Sequence, residues 1–397
     1  MTWTQADLEA PRGAHLWAHL ADTVYLNHGS FGGCPLPVIE EQRRWQDLLE
    51  QQPVAFMMAD LEPALDHVRQ RLGAFLGADP DDLALITNAT EGVGTVIRSL
   101  AFHPGDEVVV LDHTYNACKN AVEAELTRRG GRTVVATIPF PVQDAQQVVD
   151  AVLARLTRHT RLVLLDHITS PTGLVLPIAQ LVRAIEDRGV DVLVDAAHAP
   201  GMVDVQLDAL GAAYWTGNCH KWVCSPKGSA VLHVRKDRQA QIRPLVISHG
   251  ANSGRRDRSR FRLEFDWTGT RDPSPWLAIP MALDTMGSLW PGGWQQLRAR
   301  NEALTLQARA LLCEAVGTQP PAPPALISHL AAVVLPDHVA VAGSCNGGDA
   351  LHDHLWRHHR IEVPVFPWSD LRILRIAVQA YNSLPQYAQL AEVLRRL

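Results

Sequence analysis

The chain has 397 residues, 47% of them apolar, enough for two domains with a sizeable core. Its net charge of −6 and pI near 6.3, with no long run of one sign, leave no footprint for nucleic acid or an anionic membrane. The opening MTWTQADLEAPRGAHLW is neither a signal peptide nor an anchor, and no apolar run approaches the roughly 20 residues of a membrane span, so a cytoplasmic chain is expected. Six cysteines (Cys34, Cys118, Cys219, Cys224, Cys313 and Cys345) lie without CxxC pairs, which fits reduced thiols better than disulfides or zinc.

Residues 25–33, YLNHGSFGG, set Asn27 and His28 among glycines ahead of Pro35 and Pro37. This irregular segment is expected either to line an active-site mouth or to be a plain connection before a helix over 38–52. A helix over 60–76 ending near Gly77 and a strand over 84–87 follow. NATEGVGTVIRSL (88–100) then opens a helix with apolar positions at Val93, Val96, Ile97 and Leu100. Its N-terminal N–H groups, with the Thr90 hydroxyl, form a candidate phosphate cradle; an ordinary helix with Thr90 as its cap is the alternative. The Walker pattern is absent.

EVVVL (107–111) reads as a buried strand followed by DHTYNA, where His113 or Tyr115 is placed to lie on an aromatic ring. A helix over 120–129, a strand over 133–138, a helix over 143–156 and a strand over 161–165 come next. DHITSPTGLVLP (166–177) offers Thr169 or Ser170 to a ligand hydroxyl, or makes a simple turn. A helix over 178–188 leads to VDVLVDAAHAP, whose apolar run 190–194 delivers Asp195 at a strand end. Twenty-six residues later TGNCHKWVCSPKGSAVL presents Lys221.

This alternation predicts an α/β fold with a mainly parallel sheet covered on both faces, whose strand C-termini converge on one crevice. Thr90, His113, Thr169, Asp195 and Lys221 all fall at strand ends or just after. An isolated Asp and Lys mean little. Together in such a crevice, a carboxylate that protonates a pyridine nitrogen and a lysine that condenses with an aldehyde are the two anchors of pyridoxal phosphate chemistry.

Beyond residue 232 lie residues 242–247 and the basic cluster Arg255, Arg256, Arg258, Arg260 and Arg262, expected to be a solvated or interface loop, with a substrate or phosphate role for one of these arginines as the alternative. DWTGTRDPSPW (266–276) is dense in helix breakers. Helices over 277–289 and 294–316, a strand over 331–335, a helix over 349–357 and a strand over 371–377 suggest a smaller α+β domain. The division expected is an N-terminal segment 1–30 lining the site, a large domain 31–275 and a small C-terminal domain 276–397. Histidines 352, 354, 358 and 359 lack carboxylate spacing, so no metal is expected.

The motifs YLNHGSFG, NATEG, DHTYNA, TSPTG, DAAHAPG, GNCHKW, WTGTRD, VPVFPW and RIAVQAYN, in that order, carry a resemblance over nearly the whole chain. The chain resembles class V aminotransferase-fold enzymes, which are pyridoxal 5'-phosphate-dependent and of fold type I, and among them the isopenicillin N epimerase-like branch. The resemblance implies that Lys221 holds the cofactor as an internal aldimine, that Asp195 pairs with the pyridinium nitrogen, and that His198 sits near the ring edge. It further implies phosphate contacts from Ala89, Thr90, Thr216, Asn218 and His220, stacking by His113 or Tyr115, and Thr169 on the ring hydroxyl. Gly269 and Thr270 match a segment reaching the neighbouring subunit's phosphate, which implies a homodimer with shared active sites. Arg375 matches the arginine that clamps the carboxylate of an amino acid substrate; Asn27 and His28 are further substrate-side candidates.

The implied activity is epimerisation at Cα, with Tyr115, His28 and His113 as candidates for a second proton carrier beside Lys221. A carbon–sulfur β-lyase, a class V aminotransferase and a non-catalytic relative are the alternatives. A persulfide-forming desulfurase is disfavoured, because HHRIEVPVFPWSDLRILR holds no cysteine and Cys345 lies thirty residues before Arg375.

Overall fold

The computed structural model describes residues 3–20, 22–341 and 349–397; Cys345 lies outside them. Among the described residues a two-residue strand, β1 (Val24–Tyr25), precedes seven strands that share one sheet. These are β2 (Leu83–Ile86), β3 (Glu107–Leu111), β4 (Arg132–Ala136), β5 (Thr160–Asp166), β6 (Asp191–Asp195), β7 (Tyr214–Asn218) and β8 (Ala230–Val234). Their spatial order is β2-β8-β7-β6-β5-β3-β4, with β3 to β7 parallel and β8 antiparallel to both neighbours.

The central strands are apolar on both faces because helices cover both. Val109, Leu111, Val163, Leu165, Val192 and Val194 face one cluster, with Leu181, Val182 and Ile185 of the helix Ile178–Glu186. Val108, Val110, Leu162, Leu164 and Leu193 face the other, with Val93, Val96 and Ile97 of the helix Ala89–Ser99. The period of two sorts residues to opposite sides. Each fully buried Val or Leu contributes about 1.5–3 kcal/mol.

Three further strands, β9 (Leu330–Val334), β11 (Val365–Trp368) and β12 (Leu371–Ala377), form an antiparallel sheet in the order β11-β12-β9, and β10 (Ile361–Glu362) pairs in parallel with β1. The long helix Gly293–Val316 packs on β9 and on the C-terminal helix Leu384–Leu394.

Element ends differ from the sequence expectation by a residue or two in the large sheet. The helix expected over 120–129 starts earlier, at Asn116, and the one expected over 143–156 is the shorter Ala145–Leu153. Over 242–247 the chain is irregular, with Ile242 buried and Leu245, Val246 and Ile247 exposed. Of the basic cluster, Arg255, Arg258, Arg260 and Arg262 are committed to ion pairs with Glu62, Asp66, Asp81, Asp257, Glu264 and Asp266.

Candidate active site

The C-terminal ends of β2, β5, β6 and β7 open on one cavity of about 330 Å³. Its lining includes Ala89, Thr90, Tyr115, Ser170, Asp195, His198, Asn218, His220 and Lys221, nine of the residues singled out in the sequence, together with Ser30, Phe31 and Asp166.

At one end is the N-terminus of the helix Ala89–Ser99. Asn88, not Thr90, caps it, its side chain accepting from Glu91 N at 2.9 Å. Ala89 N donates to Asn218 Oδ1 at 2.8 Å, tying the helix start to the end of β7, and Thr90 stays exposed. The helix lies close on the strand because residue 92 is glycine: a Cβ there would stand 2.1 Å from Thr216 Oγ1. This corrects the expectation for Thr216. Its hydroxyl lies beneath the helix and donates to Val231 O at 3.1 Å, and it does not line the cavity.

In the middle, Asp195 is buried at the end of β6, where Cys118 Sγ donates to Oδ2 at 3.1 Å and Ala197 N to Oδ1 at 3.0 Å. Burial raises its pKa. Asp166 is its register partner on β5, also buried, accepting from Thr114 Oγ1 at 2.9 Å; burial, and then Asp195, push its carboxyl well up. Lys221 Nζ lies 3.1 Å from His198 Nε2. Burial first, then Arg375, lower the lysine's pKa to about 8, so roughly a tenth of it is a neutral amine at pH 7, far more than for an ordinary lysine. His220 Nδ1 contacts Ser229 O at 3.0 Å, and burial lowers its pKa to about 4.

The loop carrying Lys221 is held from behind by the N-terminal segment. Gly32 has φ +70°, and a Cβ there would stand 2.2 Å from His220 O. His28 Nε2 donates to Lys221 O at 2.9 Å, and Nδ1 pairs with Tyr381 at 2.8 Å. His28 therefore supports the lysine's backbone; it does not line the cavity, contrary to its expected place beside the substrate. Asn27 also lies outside the lining, bonded to Glu362 at 2.8 Å and accepting from Ser30 Oγ.

Arg375 is buried on β12, with Nη2 donating to Ser30 Oγ at 3.0 Å and Nη1 to Ser170 O. Among the described residues it has no carboxylate partner, its Nε is unsatisfied, and burial lowers its pKa to about 10. A buried guanidinium without an anion is costly, and an incoming carboxylate would satisfy it. Thr169 is turned away from the cavity: its hydroxyl pairs with Thr172 Oγ1 at 2.7 Å and accepts from Leu174 N, leaving Ser170 on the lining. His113 is buried against Trp368 with ring centroids 4.4 Å apart; Nδ1 pairs with Asp112, and among the described residues Nε2 has no partner. Thr270 is exposed and lies outside the cavity of its own chain.

These groups fit pyridoxal phosphate. The helix N-terminus, Thr90 and His220 suit a phosphate, the buried Asp195 a protonated ring nitrogen, and the Lys221 amine an aldehyde. Asp166, Cys118 and Trp222 also belong to the site; of these only Asp166 has a signal in the sequence, its strand-end position matching that of Asp195.

Solved structures share the fold. The cystine C–S lyase C-DES in complex with its product cysteine persulfide matches with a TM-score of 0.80 at 21% identity, over 96% of this chain and 99% of that one. In a variant of that lyase, glycine is covalently linked to the PLP cofactor. The fold and the cavity define a pyridoxal phosphate-dependent enzyme of fold type I. The model of the family described as aminotransferase class V matches residues 49–316, and the chain belongs to that family. Isopenicillin N epimerase of Amycolatopsis lactamdurans is 34% identical over 97% of this chain and 99% of its own length. A probable chloroplastic L-cysteine desulfhydrase of Arabidopsis thaliana is 33% identical over 96% and 84%.

Proposed function

We propose that the enzyme epimerises an α-amino acid at Cα, using Lys221 and Tyr115 as its two proton carriers. The observation that carries this reading is the Lys221 amine sharing one cavity with the Tyr115 phenol, both within electrostatic reach of Arg375. Pyridoxal phosphate, when bound, supplies the electron sink that acidifies the Cα–H bond. Arg375 holds the substrate carboxylate in a bidentate grip, with Ser30 and Ser170 fixing its plane. Lys221 takes the proton, and Tyr115 returns one from the other side. His28, bonded to Lys221 O and Tyr381, drops out as a second carrier.

A carbon–sulfur β-lyase is the second reading. It is favoured by the desulfhydrase relatives and by the exposure of Tyr115, 48%, since elimination needs only one base. Chiral analysis and a pyruvate assay on amino acids and S-substituted cysteines separate the two. Epimerised substrate without keto acid is expected; pyruvate with ammonia would overturn it. Tyr115→Phe is expected to abolish epimerisation while Lys221 still exchanges the Cα proton with solvent, and unchanged epimerisation would remove Tyr115 from the mechanism.

Arg375→Lys keeps the charge but loses the planar fork. Losing one charge-assisted hydrogen bond, about 1.5–3 kcal/mol, is expected to raise KM roughly 10- to 100-fold with cofactor binding intact. An unchanged KM would contradict the clamp.

We assign the enzyme to the cytoplasm; among the described residues no helix is long and apolar enough to cross a membrane. We further assign a homodimer. The exposed apolar side chains Phe31 (73%), Met58 (82%) and Leu245 to Ile247 are ones that a second copy would bury, and in that dimer Thr270 would reach the neighbour's phosphate end. The boundary between a large and a small domain is drawn near residues 275 and 276.

A further inference from the structure

Trp222 directly follows the lysine, and its ring is buried against His28 and His329, with centroids 5.0 and 5.3 Å away. Its indole N–H donates to His198 Nδ1 at 3.1 Å. Indole nitrogen can only donate, so His198 Nδ1 must present a lone pair. A neutral imidazole carries one ring proton, which is thereby left on Nε2. Nε2 lies 3.1 Å from Lys221 Nζ. An N–H directed at an amine requires a lone pair there, and an ammonium group has none.

We propose that Trp222 is a positioning residue: it fixes His198 as the Nε2–H tautomer, so that His198 donates to Lys221 and favours the neutral, nucleophilic amine over the ammonium. The geometry stands by itself; its catalytic consequence rests on Lys221 being the cofactor lysine.

The surroundings agree. Burial first, then Lys221, Arg375, His28 and His220, keep His198 far from protonation, and an imidazolium would leave the indole N–H no acceptor. Around Lys221 itself, burial and Arg375 favour the neutral amine, while Asp195 and Cys118 oppose it. Without the indole N–H, His198 is free to move its proton to Nδ1 and accept from an ammonium through Nε2, which would raise the lysine's pKa.

The test uses the full chain freed of cofactor and labelled with 15N in histidine. NMR of the unmodified chain is expected to show His198 protonated on Nε2 and bare on Nδ1; the reverse would overturn the proposal without any variant. Trp222→Phe keeps an aromatic ring but removes the donor. The rate of pyridoxal phosphate capture, followed by visible absorption, should rise with pH through a midpoint near 8 in the unmodified chain. In Trp222→Phe that midpoint should move up by about one pH unit, making capture roughly tenfold slower at neutral pH. In a His198→Ala background the same substitution should move nothing further. An unmoved midpoint, or an equal shift with and without His198, would overturn the proposal, since packing alone predicts no dependence on His198. Absence of any capture at Lys221 would instead refute the cofactor assignment and leave the tautomer to the NMR result.

Discussion

Lys221→Ala is expected to remove the visible absorption of the bound cofactor and to lower turnover by about 10⁴-fold or more. The side chain has two tasks in the proposed mechanism. It is the amine that reaches the cavity, and it is the base for the Cα proton, a role that by itself is worth about 10²- to 10⁴-fold. The substitution should leave the fold intact, because the loop is held by contacts that do not involve Nζ: His28 on Lys221 O and the close approach of Gly32 to His220. Pyridoxal phosphate should still bind, weakly, through the helix start at Ala89. A variant that kept both colour and turnover would show the lysine to be misassigned.

Asp195→Asn is expected to act in opposite directions on rate and on stability. Turnover should fall about 10²- to 10³-fold, the scale of losing one aligned electrostatic partner, with little change in KM. Without the carboxylate, the ring nitrogen has no anion to keep its proton. The cofactor-free chain should nevertheless melt at a higher temperature at pH 7. Burial raises the pKa of Asp195 in the folded state, and its neighbour Asp166 is pushed the same way. A carboxyl whose folded pKa lies above the unfolded one binds its proton more tightly when folded, so it costs stability once pH rises past the unfolded value. The neutral amide removes that cost, and Cys118 Sγ can turn to accept from it. Calorimetry of the cofactor-free chains with parallel kinetics measures both. A lower melting temperature with unchanged turnover would contradict the role given to Asp195.

The large sheet was legible because its signals are local. EVVVL, RLVLL and VDVLV are short apolar runs at regular intervals, and the polar residues that close them are those at the cavity. The small sheet was less so: β1 and β10 are two residues each and pair across more than 300 positions, which no local pattern announces. The site residues divide the same way. Asp195 and Asn218 end their strands, His198 and Lys221 come three residues later, and all four meet there. Thr216 looked equivalent to Asn218, but it sits two residues further back on the same face of β7, about 6.6 Å down the strand and so under the helix. Thr169 and His28 were read by composition as polar groups of active-site loops. Their partners, Thr172 in a tight turn and Tyr381 on a distant segment, decide that both point elsewhere. Trp222 gave no signal, since a tryptophan among apolar residues reads as core until its N–H is seen on His198.

The central claim is a covalent bond between Lys221 and pyridoxal phosphate. The chain has four lysines, at positions 119, 221, 227 and 236, so the claim can be read from one peptide. Borohydride reduction of the holoenzyme, digestion and mass spectrometry should find the pyridoxyl group on the peptide containing NCHKW and on no other. The group on Lys119, Lys227 or Lys236, or on none of the four, would contradict it.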